Sequence, residues 1–213
     1  MADGLQLHEV TIALGGRTLL AITHSVAPGE VLTVMGPSGS GKSTLLAYIG
    51  GFLDLAFTAR GKVLAGDVDL TALPAEDRHA GILFQDPLLF PHMSVAGNLA
   101  FAIPAAVRGR PARLALAERA LEGVGMEGMG ARDPDTLSGG QKARVALARV
   151  LVSSPRALLL DEPFSKLDAG LRQQMRELVF DKARLSGLPM LLVTHDEADA
   201  QAAGGPILRI GGE

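Results

Sequence analysis

The nine residues Gly36-Pro37-Ser38-Gly39-Ser40-Gly41-Lys42-Ser43-Thr44 fit the pattern G-x-x-x-x-G-K-[ST], with Gly36, Gly41, Lys42 and Ser43 at the required spacing. Such a stretch binds polyphosphate. Its glycines permit a tight backbone path, so that the N–H groups around Ser38–Gly41 can converge on phosphate oxygens. The loop leads into a helix N-terminus, where the partial positive charge favours an anion. Lys42 reaches the outer phosphates, and the Ser43 hydroxyl is a ligand for Mg²⁺. Taken alone, the pattern implies a bound nucleotide and no particular reaction.

A second candidate group lies far along the chain. Asp161 and Glu162 follow Ala157-Leu158-Leu159-Leu160. Four apolar residues ending in two acids read as a buried parallel strand with its carboxylates at the C-terminal end, where open α/β sheets bind ligands. Asp161 is placed to hold the Mg²⁺ shell, and Glu162 to act as general base or to position a water.

These groups need a sheet to hold them. Val31–Met35 is a short apolar strand running straight into the Gly-rich loop, and the helix-permissive stretch from Lys42 to Ile49 ends at Gly50-Gly51. Upstream, Leu5, Leu7, Val10 and Ile12, then Leu20, Ile22 and Val26, alternate as two strands joined at Gly15-Gly16. Gly61–Leu64 and Asp67–Leu70 read as a further hairpin, and Gly81–Phe84 as a short buried strand. Between Asp86 and Pro155 the character becomes helical, with Leu114, Ala117, Leu121 and Val124 on one face and a second helix from Ser138 to Leu151. Strand–helix alternation then resumes: Ala157–Leu160, Leu171–Leu185, Met190–Thr194 and Ile207–Ile210. The expected fold is α/β, with a mainly parallel sheet and a helical lobe inserted into it.

Composition narrows the partners. The 213 residues carry a net charge of −3, and 47% are hydrophobic. No basic surface for nucleic acid is implied. No apolar run approaches the roughly 20 residues that span a bilayer. The N-terminal segment lacks a basic stretch followed by an apolar one, so a cytoplasmic protein is expected. There is no cysteine, which excludes disulfides and thiolate metal sites.

The pentapeptide Leu137-Ser138-Gly139-Gly140-Gln141 adds what the Gly-rich loop could not. Ser138 can cap a helix, and Gly139-Gly140 allow close approach to a phosphate. Together with the Gly36–Thr44 loop and the Asp161-Glu162 pair, it resembles the ATP-binding-cassette ATPases, along essentially the whole chain. The resemblance implies one domain: a phosphate-loop NTPase core with an N-terminal antiparallel β-subdomain (1–85 and 156–213), and an inserted helical subdomain (86–155). It implies ATP and Mg²⁺ as cofactors. It implies that Gln85 contacts Mg²⁺ and the attacking water, that Asp168 links the two sites of a dimer, and that His195 contacts the γ-phosphate. It further implies a homodimer in which Ser138, Gly139, Gly140 and Gln141 close over ATP held by the other subunit's Lys42, Ser43 and Glu162.

The segment Gln85–Leu99 resembles importers of the thiamine, iron, polyamine and sulfate group. Expected partners are then separate transmembrane permease subunits, docked on the apolar start of the helical lobe, and an extracytoplasmic substrate-binding protein. The expected location is the inner face of the cell membrane. A soluble assembly ATPase, and the ATPase of an exporter or lipoprotein-release system, are the alternatives. The chain departs from the family's pattern at Leu14, where an aromatic residue usually stacks on adenine. Because stacking is worth roughly 1–3 kcal/mol, Leu14→Tyr is expected to tighten ATP binding by about fivefold or more in calorimetry. Unchanged affinity would remove Leu14 from the base site.

Overall fold

The computed structural model describes residues 4–211 and divides into two compact units. Of the described residues, the first comprises 4–82, 156–162 and 180–211; the second comprises 83–155 and 163–179.

The first unit holds two sheets. Leu5–Leu14 (β1) and Arg17–Val26 (β2) pair antiparallel around Gly15 and Gly16, both at positive φ. Phe57–Ala65 (β4) pairs antiparallel with the other edge of β1, and Val68–Asp69 (β5) completes the order β2-β1-β4-β5. The second sheet runs β6-β7-β8-β3-β9, built from Val31–Met35 (β3), Ala80–Leu83 (β6), Ala157–Asp161 (β7), Met190–Thr194 (β8) and Ile207–Arg209 (β9). The pairings β3–β8, β3–β9 and β7–β8 are parallel. All five residues of β3 and of β8 are buried, the pattern of a strand covered on both faces. Leu45, Leu46 and Ile49 of the helix Lys42–Gly50 (α1) share one core with Leu32, Val34, Leu159, Leu191, Val193 and the inward residues of β1. The helix Glu197–Ala203 (α6) follows β8.

In the second unit, Val95–Ala102 (α2), Arg110–Glu122 (α3) and Gly139–Val152 (α4) pack together. The start of Ala169–Leu185 (α5) belongs with them, and the end of α5 with the first unit. The sequence reading missed α2, because Pro91 and Gly97 look like breaks. Ser94 caps its N-terminus by accepting from the Gly97 N–H, and buried Val95 and Leu99 anchor it. The hairpin strand read as Gly61–Leu64 starts earlier, at Phe57, because pairing with β1 continues to Leu14.

Two buried polar side chains lock irregular backbone. Asn98 accepts from the Phe90 N–H and donates to the carbonyls of Phe90, Met93 and Ser94, holding the turn that leads into α2. Arg78 donates to the carbonyls of Tyr48 and Ile49 in the last turn of α1, and to Leu73. A cation there satisfies the Ile49 carbonyl and adds a second donor to the Tyr48 carbonyl, which also accepts from the Gly51 N–H. Gly51, the left-handed residue ending α1, leaves room for that guanidinium, since a Cβ would stand 2.7 Å from Nε. Arg78→Met is expected to cost about 2–4 kcal/mol, since it strands buried carbonyls. The check is a lowered melting temperature by circular dichroism without nucleotide.

Candidate functional site

The first unit brings together Gly36–Thr44, Asp161, Glu162 and His195. β3 delivers the chain into the loop, and the left-handed Gly39 and Gly41 turn it into α1. Gly36 is close-packed: a Cβ would lie 2.4 Å from the Ile210 carbonyl oxygen and 2.8 Å from Ser40 Oγ. Gly39 has nothing within 4 Å of its Cβ position, and Pro37, Ser38 and Gly39 are exposed. No side chain caps α1 and no acid stands in its first turn, so its N–H groups remain available to an anion.

Lys42 is 6% exposed, and its Nζ donates to the carbonyls of Gly36 and Pro37, both at 2.8 Å. The ammonium thus lies inside the curl of its own loop. Ser40 Oγ is buried without a hydrogen-bond partner. An open Gly-rich curl, an uncapped helix end, an enclosed ammonium and an unmatched hydroxyl fit a phosphate chain. Thr44 is half-buried, one residue further into α1.

Ser43 Oγ donates to Asp161 Oδ1 at 2.9 Å. Burial pushes the Asp161 carboxyl above its ordinary range; the Ser43 bond opposes this, the Glu162 charge adds to it, and Lys42 opposes it. A hydroxyl and a carboxylate this close are hard oxygen donors suited to Mg²⁺. Glu162 takes the left-handed conformation, φ 46°, while its N–H still donates to the Val193 carbonyl at 2.9 Å. For a non-glycine residue that conformation costs roughly 1–2 kcal/mol. It turns the chain out of the sheet immediately after β7. Glu162 Oε1 lies 3.1 Å from His195 Nδ1, a donor–acceptor distance.

Residues absent from the sequence reading support His195. Thr194 Oγ1 donates to the buried Asp199 carboxylate at 3.0 Å and accepts from the Asp196 N–H at 3.1 Å. Asp196 caps α6 through the Ala198 N–H. His195 is thereby held between a strand end and a helix start. The acids of Thr-His-Asp-Glu-Ala-Asp carried the signal, since a helix-start cluster so close to a buried strand invites capping.

The second unit holds Gln85, Ser138, Gly139, Gly140, Gln141 and Asp168. Gln85 is exposed and, with Gly139, Lys142 and Lys166, lines a cavity of about 210 Å³ whose walls include Phe84, Ala143 and Met175. Ser138 and Gln141 form a reciprocal capping box: Ser138 Oγ accepts from the Gln141 N–H at 3.3 Å, and Gln141 Oε1 accepts from the Ser138 N–H at 3.0 Å. The glutamine, which capping by serine alone left unaccounted for, has a local task. Gly139 is exposed and open, whereas Gly140 is buried. Asp168 caps the start of α5 by accepting from the Leu171 N–H at 3.0 Å.

The segment after Gln85 is braced. Arg149 of α4 donates to the carbonyls of Leu88 and Pro87 at 2.8 and 3.1 Å, and its guanidinium stands 5.5 Å from the Phe90 ring centre. Leu88, at φ 46°, is 58% exposed, and Phe101 is exposed beside Phe90. Leu14 ends β1 at 43% exposed, opposite Phe57 and Arg17.

Residues 19–165 match the ABC transporter family. An uncharacterized ABC transporter ATP-binding protein, YnjD of Escherichia coli, is 47% identical over 87% of the chain and 85% of its own length. The thiamine import ATP-binding protein ThiQ of a Jannaschia species is 43% identical over 92% of the chain and 84% of its own. The iron(III) import ATP-binding protein FbpC of Rhizobium etli is 42% identical over 86%, and the match covers about half (51%) of that relative. Among solved structures, the dimeric post-hydrolysis state of the ATP-binding cassette MJ0796 bound to ADP and Pi superposes with a TM-score of 0.78 at 28% identity, covering 97% of this chain and 94% of the other. With this fold, this phosphate loop and these relatives, the chain belongs to the ABC transporter family and is an ATP hydrolase of that family.

Proposed function

We propose that the chain powers the import of a small solute, dimerising around two MgATP and driving a separate membrane permease. The observation that carries the reading is the paired geometry at the end of β7, with Ser43 on Asp161 and His195 on Glu162. Two carboxylates on consecutive residues are given different surroundings. Asp161 faces the Ser43 hydroxyl, where both would hold Mg²⁺, with Gln85 as a further ligand. Glu162 faces the imidazole and serves as the base that aligns and deprotonates the attacking water.

Lys42 binds the β- and γ-phosphates by exchanging its two loop carbonyls for phosphate oxygens. The N–H groups of the Gly36–Thr44 loop and of α1 supply the rest of the anion site. Ser138, Gly139, Gly140, Gln141 and Asp168 serve the nucleotide of a second copy, so that ATP joins the subunits and hydrolysis releases them. The dimeric cassette among the structural relatives supports that arrangement, and the names of the thiamine and iron relatives support import. No helix among the described residues is long and apolar enough to cross a membrane. Exposed Leu88 and Phe101 offer the permease's docking surface, on the cytoplasmic side of the membrane. A substrate-binding protein outside the membrane completes the system and, with the permease, selects the solute.

Removing a general base that works with positioned water is expected to lower kcat by about 100-fold or more. Glu162→Gln should therefore bind ATP, stop turning over and accumulate as an ATP-dependent dimer in light scattering. Normal turnover in that variant would take the base role from Glu162. Co-purification of the detergent-extracted chain with a multispanning protein checks the permease; extraction as a soluble complex with cofactor-assembly proteins would replace transport by assembly.

A further inference from the structure

The two glycines at the head of α4 differ in what surrounds them. A Cβ on Gly139 would meet nothing within 4 Å, which leaves room for a ligand. A Cβ on Gly140 would lie 2.4 and 2.6 Å from Leu171 Cδ2 and Cδ1, and 3.0 Å from Cγ. Contacts under 3.0 Å are ones that real Cβ atoms essentially never make. A methyl at Gly140 would therefore have to displace the Leu171 side chain that covers its Cα, whereas Gly139 is open. Leu171 is half-buried in the first turn of α5, three residues after Asp168, whose carboxylate accepts its N–H. The Leu171 side chain thus ties the capping-box turn of α4 to the turn carrying Asp168, within one unit.

We infer that Leu171 is a positioning residue: it fills the space over Gly140 and holds Ser138–Gln141 and Asp168 at a set spacing, as one surface. This rests on the proposal that both segments serve a partner's ATP. A surface that must meet one nucleotide from two chain segments works only if their separation is fixed, and close packing of a branched side chain on a bare Cα fixes it. Leu171 touches neither nucleotide nor water in this account; it acts through the two segments.

A double-mutant cycle separates a glycine required by Leu171 from one required by its ligand. In the full chain, Gly140→Ala is expected to lower kcat about tenfold and Leu171→Ala about threefold, through misplacement of the α4 turn. Affinity for a fluorescent ATP analogue at the phosphate loop, in the other unit, should stay within about twofold. The double variant should hydrolyse ATP at the Leu171→Ala rate or faster, because the added methyl occupies the vacated space. Losses that multiply, to about thirtyfold, would overturn the inference and make Gly140 a requirement of the ligand. Melting temperatures of all four proteins provide the second readout. If kcat per folded molecule is unchanged in both single variants, Leu171 supports the fold alone and the inference fails. A wild-type chain that turns over ATP and an ATP-loaded Glu162→Gln chain that stays monomeric would overturn the proposed dimer and this inference together, a result distinct from multiplicative losses in a dimerising enzyme.

Discussion

Asp161 and Ser43 are 118 residues apart in the chain and share a hydrogen bond of 2.9 Å. That bond joins the end of β7 to the start of α1, and everything around it serves to keep those two ends in register. β8 lies between β7 and β3, with every residue buried, so the strand that ends at Asp161 and the strand that feeds the Gly-rich loop cannot slide against one another. Slippage by one residue would exchange the side chains of two packed faces and displace both strand ends from the loops they carry. At the far end of α1, Arg78 ties off the last carbonyls, so the helix is anchored at its C-terminus while its N-terminus stays free for an anion. The desolvated Asp161 carboxyl is the electrostatic result: burial holds its pKa above the ordinary carboxylate range, against the Ser43 hydrogen bond.

One residue further, the geometry changes character. Glu162 leaves the sheet through a left-handed backbone, a conformation that costs free energy for a side chain of its kind. The surrounding structure compensates with the Glu162 N–H bond to Val193 and with the fixed loop at Thr194–Asp199. Two adjacent carboxylates are thereby aimed at different partners, a hydroxyl for one and an imidazole for the other. A regular strand would have sent them to opposite faces and left only one at the site.

The second unit works by the same economy of short polar braces. Arg149 and Asn98, neither conspicuous in the sequence, grip the backbone from Pro87 to Phe90 from α4 and α2. Leu88 is left facing solvent in a strained conformation, which a flexible loop would not retain. The capping box at Ser138 and Gln141 shows that one short motif can satisfy local and distant demands at once. Gln141 closes the helix end, Gly140 admits Leu171, and Gly139 alone faces open space.

The sequence by itself determined the kinds of element and the chemistry of the phosphate end. Glycine, lysine and serine at fixed intervals after an apolar strand have few other uses, and a run of apolar residues ending in acids marks a strand that is buried up to its last residue. Those are local constraints, and local order of residue types carries them. Only the tertiary structure decided that Ser43 meets Asp161, that Glu162 bends toward His195, and that Asp199 stabilises the strand end next to it. It also decided that the Leu171 side chain covers Gly140. Each of these depends on which strands become neighbours and on atoms brought together by packing, so composition and periodicity carry no record of them. The helix α2 shows the same limit from the other side: glycine and proline suggested a break, and a serine cap with a buried apolar face outweighed their propensities.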